Sequence, residues 1–126
     1  MLARDEWRTD ILDELAPADD DTVLYKTRFS GFYRTELDDL LKRLGNKVLI
    51  VTGCTTSICV ESTVRDAFFR DYHCILLEDC AAEPMGRNLS RSNHEATVLL
   101  VERIFGSVSN SNDFINAVQP TAALTA

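Results

Sequence analysis

The 126 residues are 45% hydrophobic and 26% charged with five Gly and three Pro, the make-up of an ordinary globular protein long enough to close a core by burial alone. Thirteen Lys and Arg against 20 Asp and Glu give a formal charge of −7, which repels phosphate backbones and anionic lipid and argues against nucleic-acid or membrane partners. No run approaches the roughly 18 uncharged apolar residues of a membrane span, and the opening MLARDEWRTD carries no apolar signal core, so a cytoplasmic protein is expected.

Along the chain, WRTDILDEL places Trp7, Ile11, Leu12 and Leu15 at helical intervals and predicts a short helix or an irregular packed segment. The stretch APADD (residues 16–20) predicts a turn, and DTVLYK (residues 21–26) a short strand. Tyr33, Leu37, Leu40, Leu41 and Leu44 then mark an amphipathic helix with Thr35 near its start and Gly45 just past its end. Two apolar runs, KVLIVTGC (residues 47–54) and CILLEDC (residues 74–80), read as buried parallel strands. Between them Val60, Val64, Ala67, Phe68 and Tyr72 recur at helical spacing while Glu61, Arg65, Asp66 and Arg70 fall mostly elsewhere, which makes a strand–helix–strand unit with a right-handed crossover. Ser92 with Glu95 forms a capping-box signature for a helix to about Ile104, with Ala96, Leu99, Leu100 and Ile104 as its apolar side. A weak strand at Gly106 to Ser109, a short helix at Asn110 to Val118 and a frayed tail over 119–126 complete the order. This alternation predicts one α/β domain over 1–126, a three-layer α/β/α arrangement with a mostly parallel, Rossmann-like sheet.

The four cysteines, Cys54, Cys59, Cys74 and Cys80, lack the close C-x2-C pairs of zinc sites and have only His73 and His94 to help them, so reduced thiols and no metal site are expected. Glu78 and Asp79 end a strand on the binding side of the sheet, where capping or surface roles are the plainer reading, and His94 is expected exposed in a capping turn. Ligands of open α/β sheets bind at the carboxyl ends of the strands, which directs attention to the turn GCTTSIC (residues 53–59). Cys59 falls in the first turn of the following helix, where unpaired N–H groups and the positive end of the helix dipole stabilise an anion and favour the thiolate. The same N–H groups can hold an oxyanion formed on a substrate carbonyl. The plainer alternative is a small buried helix residue, and the pattern alone leaves both readings open.

The segment VTGCTTSICVESTVRDA (residues 51–67) closely resembles the nucleophile segment of the isochorismatase-like cysteine hydrolases, an apolar strand followed by G-x-x-T-x-x-C-V and E-S-T-x-R-D-A. KTRFSGFYRTELDDLL (residues 26–41) resembles that family's lysine-bearing segment, and ERIFGSVSNSNDF (residues 102–114) resembles the C-terminal end of its ureidoacrylate amidohydrolase group. The resemblance covers about residues 7–118. It implies hydrolysis of a C–N bond in a small ureido or carbamoyl-type amide through a thioester, without a cofactor, by a protein that forms a homo-oligomer. It further implies Cys59 as nucleophile and Lys26 as its lysine partner, whose ammonium favours the thiolate. The implied oxyanion donors are the backbone N–H groups of Thr55 and Cys59, with a cis peptide between Cys54 and Thr55. Arg28, Phe29 and Phe32 follow Lys26 and are candidates to line the substrate pocket, Arg28 by binding a carboxylate; packing aromatics and a solvated Arg are equally consistent with the pattern.

The family's first strand ends with an aspartate in an apolar-D-x-Q-x-x-F run, and that residue serves as general base and acid. This sequence has no such run, and none of Asp5, Glu6, Asp10, Asp13 and Glu14 falls in one. The chain therefore looks N-terminally truncated relative to the family, with unpaired ladder groups and slow or absent turnover as the expected consequences. Two other readings follow: a non-catalytic relative that keeps a ligand-binding or oligomerisation role, and a thiol redox protein if Cys59 pairs with Cys54 or another cysteine.

Overall fold

In the computed structural model, which describes residues 11–119, three parallel strands lie side by side in the order β1 (Val48–Cys54), β2 (His73–Ala82) and β3 (Gly106–Ser109). The first two are the Val-, Ile- and Leu-rich runs of the sequence, but only β2 is buried, at Cys74, Leu76 and Leu77; no residue of β1 is buried, which corrects the expectation of two buried strands, since β1 has a neighbouring strand on one side only among the described residues. Val48 to Val51 pair in step with His73 to Leu76, but Gly53 then stands opposite Ala81, so two steps along β1 match five along β2. This bulge bends the end of the ladder where β1 leaves the sheet. The third strand pairs with Cys74 to Leu77. Its first residue must be glycine because an added Cβ at Gly106 would lie 2.4 Å from the Cys74 carbonyl oxygen.

Helices link the strands as parallel pairing requires. A π-helical turn (Thr56–Val60) runs into α2 (Glu61–Phe68) between β1 and β2, and α3 (Asn93–Leu100) runs into a second π-helical turn (Val101–Phe105) before β3. Helix α1 (Leu37–Leu44) precedes β1 and stops at Gly45, whose φ of 70° admits the left-handed closing residue; α4 (Ser111–Val118) follows β3. The capping box forms as expected, the Ser92 hydroxyl accepting from the Glu95 N–H while the Glu95 carboxylate accepts from the Ser92 N–H. Cys74 and Leu76, on one face of β2, pack in a core with Val60, Val64, Ala67, Val101 and Phe105, extended by Phe32, Leu41 and Tyr72. Leu77, on the opposite face, is also buried, and α4 packs back against β2.

Several expectations are corrected. Residues 21–26 form no strand: Val23 and Tyr25 are exposed, and no strand among the described residues pairs with them, without which an alternating pattern has no ladder to join. The segment expected as a short helix or an irregular packed stretch forms only the single 3₁₀ turn Asp13–Leu15 among the described residues, with Ile11, Leu12 and Leu15 exposed; Trp7 and the tail beyond Gln119 lie outside them. Helix α1 begins at Leu37, close to Thr35 as expected, while Tyr33 stays in the preceding turns, where the Thr35 hydroxyl donates to the Gly31 carbonyl. Among the described residues β1 pairs only with β2, and its Val48 and Ile50 are 51% and 41% exposed. No helix of the described residues is long and apolar enough to cross a membrane.

Candidate active site

The last residues of β1 lead into a sharply shaped turn. Gly53 has φ of 115°, a conformation that residues with a side chain rarely adopt, and the next-but-one peptide, Cys54–Thr55, is cis. The Thr55 carbonyl then accepts two N–H groups, from Ile58 at 3.1 Å and from Val60 at 3.2 Å, which winds residues 56–60 into the wide π-helical turn that carries Cys59. Cys59 is half-buried there, at the start of the helical stretch that continues as α2.

Side chains from three other places hold this turn. The Thr63 hydroxyl donates to the Cys59 carbonyl at 2.7 Å and accepts the Gly31 N–H at 2.9 Å. Fully buried Thr56 shares a hydrogen bond of 3.0 Å with Nδ1 of His94, which is half-buried rather than exposed as the capping turn suggested. Glu83, 4% exposed, receives the Ser57 N–H at 2.9 Å and the Ser57 hydroxyl at 2.5 Å on Oε2, and the Met85 N–H at 3.1 Å on Oε1. The Ser57 hydroxyl, before the backbone donors, holds the Glu83 carboxyl below the usual carboxylate range against the opposing effect of burial.

The lysine segment is placed differently. Lys26 is exposed and its ammonium donates to the Arg28 carbonyl at 3.1 Å, while the Arg28 guanidinium donates to the Thr27 carbonyl at 2.8 Å; no hydrogen bond joins Lys26 to Cys59 among the described residues. Phe29 is exposed. Phe32 is a correction: at 5% exposure it is a core residue, stacked on Tyr72 with ring centres 5.9 Å apart and covered by the Arg70 guanidinium, so it lines no open pocket. The bond from Gly31 to Thr63 is what ties this segment to the Cys59 turn.

All four cysteines are free. Burial pushes the Cys74 thiol up to about 11, whereas Cys54 and Cys80 are exposed. No group of three or more His, Cys, Asp or Glu side chains among the described residues is arranged to hold a metal ion. Asp79 caps α4 through the Ser111 N–H and hydroxyl, at 2.8 Å and 2.5 Å. Glu78 lines a cleft of about 500 Å³ with Glu95, Val98, Val108, Asn110 and His94, the residue bonded to Thr56. Glu83, Thr56 and Thr63 carried no periodic signal in the sequence; the one available hint was an acid, Glu83, set among small residues just past a strand's carboxyl end.

The parallel α/β sheet presents a thiol in a braced turn at the carboxyl end of a strand, the edge at which open sheets of this kind bind their ligands. The sequence matches the isochorismatase domain over residues 1–113, and the chain belongs to the isochorismatase family. It is 41% identical over 124 residues to ureidoacrylate amidohydrolase RutB of Klebsiella pneumoniae, a match covering 98% of this chain and 51% of the relative. Among solved structures, an isochorismatase-like hydrolase from Alkaliphilus metalliredigens superimposes with a TM-score of 0.82 at 34% identity, over 92% of this chain and 62% of that one. A cysteine hydrolase from Pseudomonas syringae does so with a TM-score of 0.83 at 30% identity, over 91% and 57%. The chain spans about half the length of the curated relatives it matches.

Proposed function

We propose that this chain carries the nucleophile half of a cysteine-dependent amidohydrolase acting on a small ureido or carbamoyl-type amide. Cys59, as thiolate, adds to the substrate carbonyl carbon, and the backbone N–H groups of Thr55 and Cys59 hold the charge that develops on oxygen. The thiol's proton passes to solvent when the thiolate forms, and as the C–N bond breaks the leaving nitrogen takes a proton from water. Water then adds to the thioester, releases the acid and restores the thiol. Lys26 supports the thiolate once its ammonium exchanges the exposed Arg28 carbonyl for the sulfur. Arg28 is the candidate for a substrate carboxylate, through the forked guanidinium that now rests on the Thr27 carbonyl.

The observation that carries this reading is the bracing of one turn: a half-buried cysteine directly after a strand's end, its carbonyl, its neighbour Ser57 and buried Thr56 each held by a side chain from elsewhere. A structural cysteine has no need of such bracing, whereas a nucleophile that must meet a carbonyl within a fraction of an ångström does. The relatives' names, ureidoacrylate amidohydrolase and cysteine hydrolase, support the reaction class and the nucleophile. The test is ammonia release from ureidoacrylate and from simple primary amides. Release that disappears in Cys59→Ser supports the reading; equal release by the variant contradicts it.

A further inference from the structure

We propose that Glu83 is a positioning residue for the nucleophile turn, clamping Ser57 so that Thr55 and Cys59 keep their relative orientation. Its functional consequence rests on the hydrolase reading; the clamp itself does not.

The slip between β1 and β2 delivers Glu83 to this place. Had the pairing continued in step from Val51 and Leu76, Gly53 and Cys54 would face Glu78 and Asp79. The slip sets Ala81 and Ala82 there instead, sends Asp79 to the start of α4, and brings the next residue, Glu83, alongside the turn just past Cys54. One carboxylate, buried and fully engaged, thus replaces two exposed ones beside the nucleophile.

A buried carboxylate costs several kcal/mol unless donors surround it, and an apolar side chain of similar volume would fill the space without that cost. What the carboxylate adds is direction. It takes both donors of Ser57, the N–H at 2.9 Å and the hydroxyl at 2.5 Å, and its other oxygen is fixed by the Met85 N–H at 3.1 Å. Ser57 lies midway between Thr55 and Cys59, so any rotation about its backbone turns one proposed oxyanion donor relative to the other. With the Ser57 amide held, residues 55–59 move as one unit.

The experiment compares the unaltered full chain with E83A, E83Q and S57A. Alkylation of Cys59 by iodoacetamide is followed from about pH 6 to 9, with fragment-ion mass spectrometry separating Cys59 from Cys54, and kcat and KM for amide hydrolysis are measured in parallel. In E83A the Cys59 alkylation rate and kcat fall about tenfold with KM within about twofold, while the Cys54 rate does not change. E83Q, whose amide oxygen still accepts from Ser57, recovers most of that loss, and S57A, which keeps only the N–H arm, falls between. Equal Cys59 rates in E83A and the unaltered chain overturn the proposal, as does an E83A variant in which Cys54 and Cys59 change together. If E83A does not fold, S57A and E83Q decide: S57A slower than E83Q upholds the clamp, and S57A at the unaltered rate overturns it. An unaltered chain that releases no ammonia from any amide counts against the hydrolase reading alone, because the order of the alkylation rates still decides the clamp.

Discussion

Thr63 stands one helical turn beyond Cys59 and donates its hydroxyl proton to the Cys59 carbonyl at 2.7 Å, while the same oxygen accepts the N–H of Gly31 at 2.9 Å. A single hydroxyl therefore couples the Cys59 turn to the segment that carries Lys26 and Arg28. Thr63→Val keeps the shape but leaves the part-buried Gly31 N–H without its acceptor, a loss of about 1–3 kcal/mol. We expect thermal unfolding to show that loss and Cys59 alkylation to slow, with Thr63→Ser close to the unaltered chain. Valine behaving like serine in both measurements would remove Thr63 from the account.

The four thiols differ in environment, and a native alkylation experiment reads the differences. Cys74 is wholly buried in the core and its thiol is pushed up to about 11 by burial, so it stays unmodified near pH 8 until the protein unfolds. Exposed Cys54 and Cys80 react well before it. Rapid labelling of Cys74 in the folded protein would contradict the core described above.

Gly106 allows β3 to approach β2, and the atom that an added methyl meets is a backbone carbonyl oxygen, not the movable end of a side chain. Gly106→Ala should destabilise by about 1–3 kcal/mol or more, since the strands must part. Urea denaturation at constant slope measures it. A stability change within error would mean that β3 is placed more loosely than the pairing of Gly106 with Cys74 implies.

Stability should fall on acidification. Hydrogen bonds lower the folded-state values of Glu83 (from Ser57), Asp79 (from Ser111), Asp38 (from Lys42, then Tyr72) and Glu95 (from Ser92). Groups so depressed bind fewer protons when folded. Their stabilisation is complete above the ordinary carboxylate values of about 4 and is lost as pH drops through the lowered folded values. Lys42 and Tyr72 are shifted upward, so their contribution is complete at neutral pH and fades only when pH rises past about 10. Melting temperature against pH tests this. The acid limb of Glu83→Gln should be shallower than that of the unaltered chain, and superimposable limbs would refute a charged Glu83.

Much of the architecture could be read locally. The two apolar strands, the Gly45 stop, the Ser92–Glu95 box and the turn bearing Cys59 each depend on residues close in sequence, and each stands where the pattern puts it. What failed depends on partners distant in the chain. The DTVLYK segment has strand composition but no strand to pair with among the described residues. The slip between β1 and β2 arises where two strands meet and leaves no mark in either apolar run. For the same reason no periodic signal in the sequence marks Glu83, and Phe32, close to Lys26 in sequence, carries no sign that Tyr72 and Arg70 enclose it.

Hydrolysis by the proposed route requires the sulfur of Cys59 to form a covalent bond to the substrate's carbonyl carbon. Acid quenching during incubation with ureidoacrylate, followed by fragment-ion mass spectrometry that distinguishes Cys59 from Cys54, measures this directly. We expect an acyl mass on Cys59 that forms with ammonia release and is absent from Cys59→Ser. An unmodified Cys59 during turnover, or undiminished ammonia release by that variant, would contradict it.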